Sequence, residues 1–415
     1  KRDIYLNKII ERKNNGLIKV ITGIRRSGKS FLLFNLFKGH LLENGVKEDH
    51  IIELNFDDFA NEEYQNPKIA SPYLKGKILD KDIYYFLLDE IQLLGKFEAV
   101  LNGLLQCGNA DIYVTGSNAK FLSKDVITEF RGRGDQIHIY PLSFKEFFDA
   151  RNIDKVSALE EYLIYGGIPL ILSRQSHESK SSFLQNLFIE TYLKDIVKRN
   201  NLSQSDELKE LVEIISSSIG SLLNPSKLSN TFKSLKNINL SAPTISKYLD
   251  LLVDSFLINK SIRYNVKGKK YIDTPSKYYF SDLGIRNASL NFRQIEKTHL
   301  MENLIYNELL IRGYNVDVGV VKAYGKNEEG KRTEIPYEVD FICNQGSRKI
   351  YVQSAYEMYS TEKSLQERKS LINIDDSFKK IIVVKDASKP MMDDYGIITM
   401  GIYYFLENED SLDVF

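Results

Sequence analysis

The sequence predicts an α/β chain whose N-terminal part is an open five-stranded parallel sheet, and three observations predict it. The runs Ile18 to Thr22, Ile51 to Phe56, Tyr84 to Leu88, Ile112 to Thr115 and Ile137 to Tyr140 are short and nearly continuously apolar, as strands buried on both faces of a parallel sheet are. Helical patterns lie between several of them, notably Phe31 to Glu43, which stops at Asn44-Gly45. Between the first strand and that helix stands Gly23-Ile24-Arg25-Arg26-Ser27-Gly28-Lys29-Ser30, which fits GxxxxGK[ST] at every fixed position.

The first strand and this loop set the chemistry of the N-terminal part. Its glycines let backbone N–H groups wrap phosphate oxygens, and the helix start adds the positive end of its dipole. In that arrangement Gly23 to Ser30 bind ATP, Lys29 reaches the β- and γ-phosphates, and the Ser30 hydroxyl ligates Mg²⁺.

The third strand runs Tyr85-Phe86-Leu87-Leu88 into Asp89-Glu90. A buried strand delivers a carboxylate at its C-terminal end, where a Mg²⁺-side aspartate belongs. Asp89 is the metal-side candidate and Glu90 the candidate for polarising the attacking water. Adjacent acids favour hydrolysis over mere nucleotide binding, because one holds metal while the other serves as base.

The fourth strand ends in Val114-Thr115-Gly116-Ser117-Asn118. Asn118, with Ser117 second, is a candidate partner for the γ-phosphate or the nucleophilic water; the alternative is a turn residue or helix cap. Before the fifth strand, Arg131-Gly132-Arg133-Gly134 offers an arginine that either reaches a neighbouring subunit's γ-phosphate or is a solvated loop residue.

Beyond the sheet, 146–205 turns helical around Gly166-Gly167-Ile168-Pro169. Several helices and two short strand-like runs near Val266 to Lys270 fill 206–290, and 291–415 reads as an α+β unit opened by the helix Leu300 to Arg312. A chain of 415 residues accommodates these four parts, 1–145, 146–205, 206–290 and 291–415.

Composition narrows the classes. With 43% hydrophobic residues the chain has material for sizeable cores, and its formal net charge of zero gives no bulk attraction to nucleic acid or membrane. Any basic surface is therefore local. Cys107 and Cys343 stand in no metal-ligand or redox spacing, which predicts reduced thiols. No apolar run approaches the roughly 18 residues of a membrane span, and Lys1-Arg2-Asp3-Ile4 holds no signal-peptide core. The expected compartment is cytoplasmic.

Taken in order, the phosphate loop, Leu88-Asp89-Glu90-Ile91-Gln92, Thr115-Gly116-Ser117-Asn118, Gly132-Arg133, Pro141-Leu142-Ser143-Phe144-Lys145-Glu146 and Tyr165-Gly166-Gly167-Ile168-Pro169 resemble the prokaryotic AAA+-type ATPases that carry a C-terminal nuclease-like domain. The resemblance spans essentially the whole chain. It implies that 146–205 is a helical lid, that Asn118 is a sensor residue, and that Arg133 is an arginine finger acting in trans, hence a homo-oligomer.

The segment 206–290 resembles a winged helix. Pro225 to Lys236 would be one helix, Ala242 to Leu249, with Lys247, would open the recognition helix, and Lys267, Lys269 and Lys270 would ride on the wing. Twelve Lys/Arg against eight Asp/Glu in this segment suit phosphate contacts, although winged helices also dock proteins.

In 291–415, Glu302 on a helix, Asp340 ending Tyr337-Glu338-Val339-Asp340, and the strand Tyr351-Val352-Gln353-Ser354-Ala355 resemble the PD-(D/E)xK nuclease core, a restriction-endonuclease-like α+β fold. That chemistry needs carboxylates for the metal and a lysine for the water or the developing charge. Here Gln353 stands at the second acidic position and Ala355 at the lysine position. The expectation is a degenerate site that does not cut, with Lys349 and Lys363 as lysines that could migrate into the role.

These readings converge on an oligomeric, Mg²⁺-dependent ATPase that binds and remodels DNA, branched DNA included. A nucleotide-switched signalling or scaffold ATPase that binds protein partners, and an ATP-dependent nuclease, are the alternatives.

Overall fold

The computed structural model describes residues 2–116, 132–202, 205–236, 238–326, 332–356, 361–386 and 388–415. The chain parts into two units, Lys1–Pro141 with Asp254–Phe256, and Leu142–Val253 with Leu257–Phe415.

In the first unit, β1 (Ile18–Thr22), β2 (Ile51–Asn55), β3 (Tyr84–Asp89), β4 (Ala110–Gly116) and β5 (Gly134–His138) form one sheet in the order β2-β3-β4-β1-β5. All four pairings are parallel. Strand side chains alternate between faces, so consecutive apolar residues serve two cores. Val20, Leu54, Phe86, Leu88, Ile112 and Val114 face one side with Leu101 and Leu104. Ile21, Tyr85, Leu87, Tyr113 and Ile137 face the other with Leu33 and Phe37. Each such side chain contributes about 1.5–3 kcal/mol by leaving water, which is why these strands read as continuous apolar runs.

Helices α1 (Asp3–Glu11), α2, α3 (Pro67–Gly76) and α4 (Phe97–Leu105) belong to this unit. Helix α2 comprises Lys29–Phe31, the π-type turns Leu32–Phe37, and Lys38–Glu43. It ends at Asn44, whose N–H returns to the His40 and Leu41 carbonyls.

The second unit begins with α5 (Phe144–Ala150) and α6 (Lys155–Tyr165). The Ser143 hydroxyl accepts from the Glu146 N–H at 3.1 Å, and the Glu146 carboxylate accepts from the Ser143 N–H at 2.9 Å. This reciprocal cap satisfies two helix-start donors and accounts for Ser143 and Glu146. Their neighbour Leu142 donates its N–H to the Gly167 carbonyl, and a Cβ on Gly167 would lie 2.2 Å from the Leu142 carbonyl oxygen. Gly166, at φ +69°, leaves room for the buried Asp282, which accepts from the Gly167 N–H at 2.7 Å and caps Ile285 at 3.0 Å. The glycine pair of Gly166-Gly167-Ile168-Pro169 is thus required by close packing.

Helix α7 (His177–Asn186) continues through Leu187–Leu193 and Lys194–Arg199. Then come α8 (Ser205–Ser217), α9 (Pro225–Thr231, continued by Phe232–Lys236) and α10 (Ala242–Asp254). The antiparallel hairpin β6 (Ile258–Asn265) and β7 (Lys270–Phe280) follows.

After α11 (Leu283–Ser289) and α12 (Lys297–Ile311) come β8 (Asn315–Lys326), β9 (Arg332–Gln345), β10 (Arg348–Ala355), α13 (Thr361–Ile372), β11 (Lys379–Val384), β12 (Met391–Met392), β13 (Ile397–Gly401) and α14 (Ile402–Glu407). Strand β6 pairs parallel with β8, so the hairpin and the later strands share one sheet, ordered β12-β13-β11-β10-β9-β8-β6-β7. Segments 206–290 and 291–415 are therefore joined through backbone hydrogen bonds.

Cys107, exposed, and Cys343, buried, are free thiols. Among the described residues no helix is long and apolar enough to cross a membrane.

Candidate functional site: the phosphate loop and its acidic strand

Three parallel strands, β1, β3 and β4, end side by side, and the residues just beyond them gather. At the end of β1, Gly23 takes φ +146°, and a Cβ there would lie 2.1 Å from the Ile139 carbonyl oxygen. Gly28 sits at φ +94° directly before α2. Both positions exclude side chains, which leaves a bare backbone loop.

Lys29 is buried, and its ammonium donates to the carbonyls of Gly23 at 3.0 Å and Ile24 at 3.1 Å, across the mouth of the loop. Ser27 N–H returns to the Ile24 carbonyl at 3.3 Å, while the buried Ser27 hydroxyl has no hydrogen-bond partner among the described residues. Arg25 is half-buried and Arg26, at φ +64°, is exposed.

Asp89 ends β3 and is 3% exposed. Ser30 Oγ donates to its Oδ2 at 2.7 Å, and Thr115 Oγ1, from β4, donates to its Oδ1. Burial raises the Asp89 pKa from its ordinary value, while the Thr115 and Ser30 hydrogen bonds act in the opposite direction. A cation beside this carboxylate would favour its charged form.

Glu90 occupies the left-handed region at φ +50°. Its N–H donates to Thr115 Oγ1 at 3.1 Å, and its carboxylate accepts from the Gln92 side-chain amide. Thr115 therefore ties the two acids together, and Gln92 orients the second. Neither was a candidate from sequence; Gln92 was visible only as the end of Leu88-Asp89-Glu90-Ile91-Gln92.

His138, ending β5, is a further residue that sequence reasoning missed. Its Nδ1 lies 3.1 Å from Thr22 Oγ1, and burial, with help from Lys29 and Lys8, lowers its pKa to about 3.

Arg133 is exposed and precedes β5, where Ile18 pairs with Gly134. Arg133 and the phosphate loop thus lie at opposite ends of β1, about 20 Å apart at strand rise. Asn118, Ser117 and Arg131 fall outside the described residues.

In the second unit, Lys247 is exposed on α10, and Lys267, Lys269 and Lys270 are exposed at the β6–β7 turn. Lys267 lies 3.7 Å from Asp375. Glu302 of α12 and Asp340 of β9 come together, and Gln353 Oε1 accepts from the Asp340 N–H at 3.2 Å. The lysine among them is Lys277 of β7, which lies within 3.7 Å of both acids. Lys349 instead stacks on Tyr264 and Phe378, and the side chain of Lys363 lies outside the described residues.

Residues 15–148 match the family described as AAA domain, and residues 156–296 match a domain of unknown function. An uncharacterized protein of Haemophilus influenzae is 37% identical over 92% of this chain and 92% of its own length. An uncharacterized protein of Methanocaldococcus jannaschii is 31% identical over 87% of this chain and 78% of its own. Among solved structures, the Aeropyrum pernix ORC1 protein in complex with DNA is 12% identical, covering 69% of this chain and 91% of that one. Its TM-score of 0.29 carries no functional argument.

Proposed function

The chain belongs to one family with these Haemophilus influenzae and Methanocaldococcus jannaschii proteins, and we propose that it is a cytoplasmic, Mg²⁺-dependent ATPase that acts on DNA as a homo-oligomer. The observation that carries the ATPase reading is the convergence of Lys29, Ser30, Asp89, Thr115 and Glu90 at the C-terminal ends of three adjacent parallel strands. The residues fit a magnesium nucleotide: a side-chain-free loop, a buried ammonium at its mouth, and a hydroxyl and carboxylate aimed at each other.

In this reading the loop N–H groups and Lys29 hold the phosphates, and Ser30 and Asp89 hold the metal. Bound Mg²⁺ would supply neutralisation of the phosphate charge. Glu90, oriented by Gln92 and by the Thr115 hydroxyl, accepts the proton of the attacking water. Asn118 is proposed to contact that water or the γ-phosphate. Arg133 lies too far along β1 to serve its own loop, and in this reading it serves the loop of a neighbouring copy.

In this reading the second unit comprises a lid (146–205), a winged helix (206–290) and a nuclease-like part (291–415). Helices α9 and α10 followed by the β6–β7 hairpin support the winged-helix reading, and the exposed Lys247, Lys267, Lys269 and Lys270 suit phosphate contacts. ATP turnover measured side by side without DNA and with single strand, duplex and four-way junction tests the DNA half. Stimulation by DNA, greatest with the junction, is expected. Equal rates in all four would remove DNA and favour docking to protein.

A further inference from the structure

We propose that the carboxylate cluster of the second unit carries its own built-in cation, the Lys277 ammonium, in the place a divalent metal would take. Strand β7 delivers Lys277 with a side chain only 3% exposed. Its Nζ lies 2.7 Å from Glu338 Oε1, 3.0 Å from Glu302 Oε1 and 3.7 Å from Asp340 Oδ1. One ammonium thus faces a carboxylate from α12 and two from β9.

Further hydrogen bonds tie the acids into the fold. Tyr279 OH donates to Glu302 Oε1 at 2.7 Å, and Ser354 N–H donates to Asp340 Oδ2 at 2.9 Å. Gln353 gives its oxygen to the Asp340 N–H and its amide to Glu367 Oε2 at 3.1 Å. Gly220 closes against Glu302, where a Cβ would come within 2.8 Å of Oε2. Magnesium needs near-octahedral oxygens at about 2.0–2.1 Å, and here the point shared by the three acids is filled by nitrogen. The donor set does not fit a divalent ion while Lys277 is present.

Charge agrees with geometry. Burial, the largest single influence on Lys277, opposes its charge, yet Glu302, Asp340 and Glu338 together hold its proton more firmly than in an ordinary lysine. Asp340 is shifted upward by burial and by Glu302, against the pull of Lys277. Removing the lysine leaves the largely buried Glu302 and Asp340 carboxylates facing each other without their counter-charge, and a divalent ion then becomes the favourable replacement. This cluster is accordingly held together without a metal. This inference stands apart from the ATPase reading.

Terbium titration of the full chain without nucleotide, read by tyrosine-sensitised emission, tests it, because Tyr279 borders the cluster and the sequence has no Trp. Four proteins are compared: the parent, Asp340→Asn, Lys277→Gln, and the double variant. The parent and Asp340→Asn should titrate alike, since other acids on the chain affect both equally. Lys277→Gln should gain a component about tenfold tighter, which Asp340→Asn removes. A component in the parent that depends on Asp340 would overturn the inference, as would a natively folded Lys277→Gln that gains nothing. If Lys277→Gln does not fold, the parent against Asp340→Asn decides alone: equal titrations uphold the inference and unequal ones overturn it.

Discussion

Ser30 Oγ donates a 2.7 Å hydrogen bond to Asp89 Oδ2, joining the first turn of α2 to the end of β3. The two residues are distant in sequence, and only the parallel sheet brings them together. Thr115 Oγ1 holds the other oxygen of the same carboxylate and accepts the Glu90 N–H. The proposed metal-side acid and the candidate base thus share one hydroxyl.

Thr115→Val tests that sharing. The substitution keeps the shape and β-branching but leaves a Glu90 N–H and a buried carboxylate oxygen without their partner, which costs about 1–3 kcal/mol. Urea unfolding should show a loss of that size, with a fall in ATP turnover. Unchanged stability would mean that the hydroxyl does not bridge the acids.

Arg133→Ala should keep ATP affinity and lose turnover by about 10³-fold, the scale of a trans-acting arginine. Mixed with Glu90→Gln subunits it should regain activity through interfaces that pair an intact Glu90 with an intact Arg133. Full activity from a monomer on a sizing column would contradict the assignment.

Replacing Lys267, Lys269 and Lys270 together with Ala should weaken DNA binding across sequences and flatten its salt dependence by up to about three units of slope. ATPase activity without DNA should stay at the parent level. Titrations at two salt concentrations check this, and an unchanged slope removes the β6–β7 turn from the interface.

Asp282 predicts a pH effect on stability. Burial raises its pKa to about 6, although N–H groups of Gly167 and Ile285 favour the charged form. The folded state therefore holds the proton more tightly than the unfolded chain. The stabilisation is complete below about pH 4 and disappears as pH rises to about 6, a span of about 3 kcal/mol at most. Asp282→Asn keeps an acceptor for the Gly167 N–H and removes the titration. Denaturation measured at several pH values should show a falling segment between pH 4 and 6 in the parent that the variant lacks.

Much of the first unit was legible in the sequence for a physical reason. A parallel sheet buried on both faces forces continuous apolar strands, and phosphate wrapping forces glycines at fixed spacing, so β1 to β4 and Gly23 to Ser30 could be read directly; β5, the edge strand Gly134–His138, is polar at Asp135 and Gln136 and begins three residues before the expected Ile137 to Tyr140. The strand order could not be read, because crossovers leave no local trace. Gln92, Thr115 and His138 gained their roles only from register and turn geometry. Lys277 was hidden in the same way: its three acids come from α12 and β9, while the motif places its lysine on β10, where Ala355 stands. The β6–β8 pairing was equally invisible, since it joins segments whose local patterns read as separate units.

The central claim is that Lys29 and Glu90 divide binding from hydrolysis in one ATP site. ATP affinity and turnover measured together for the parent, Lys29→Ala and Glu90→Gln test it most directly. Lys29→Ala should lose nucleotide binding, and Glu90→Gln should bind ATP like the parent while turnover falls by about 10²–10⁴-fold, the usual worth of a positioned base. Parent-level hydrolysis by Glu90→Gln would contradict the account.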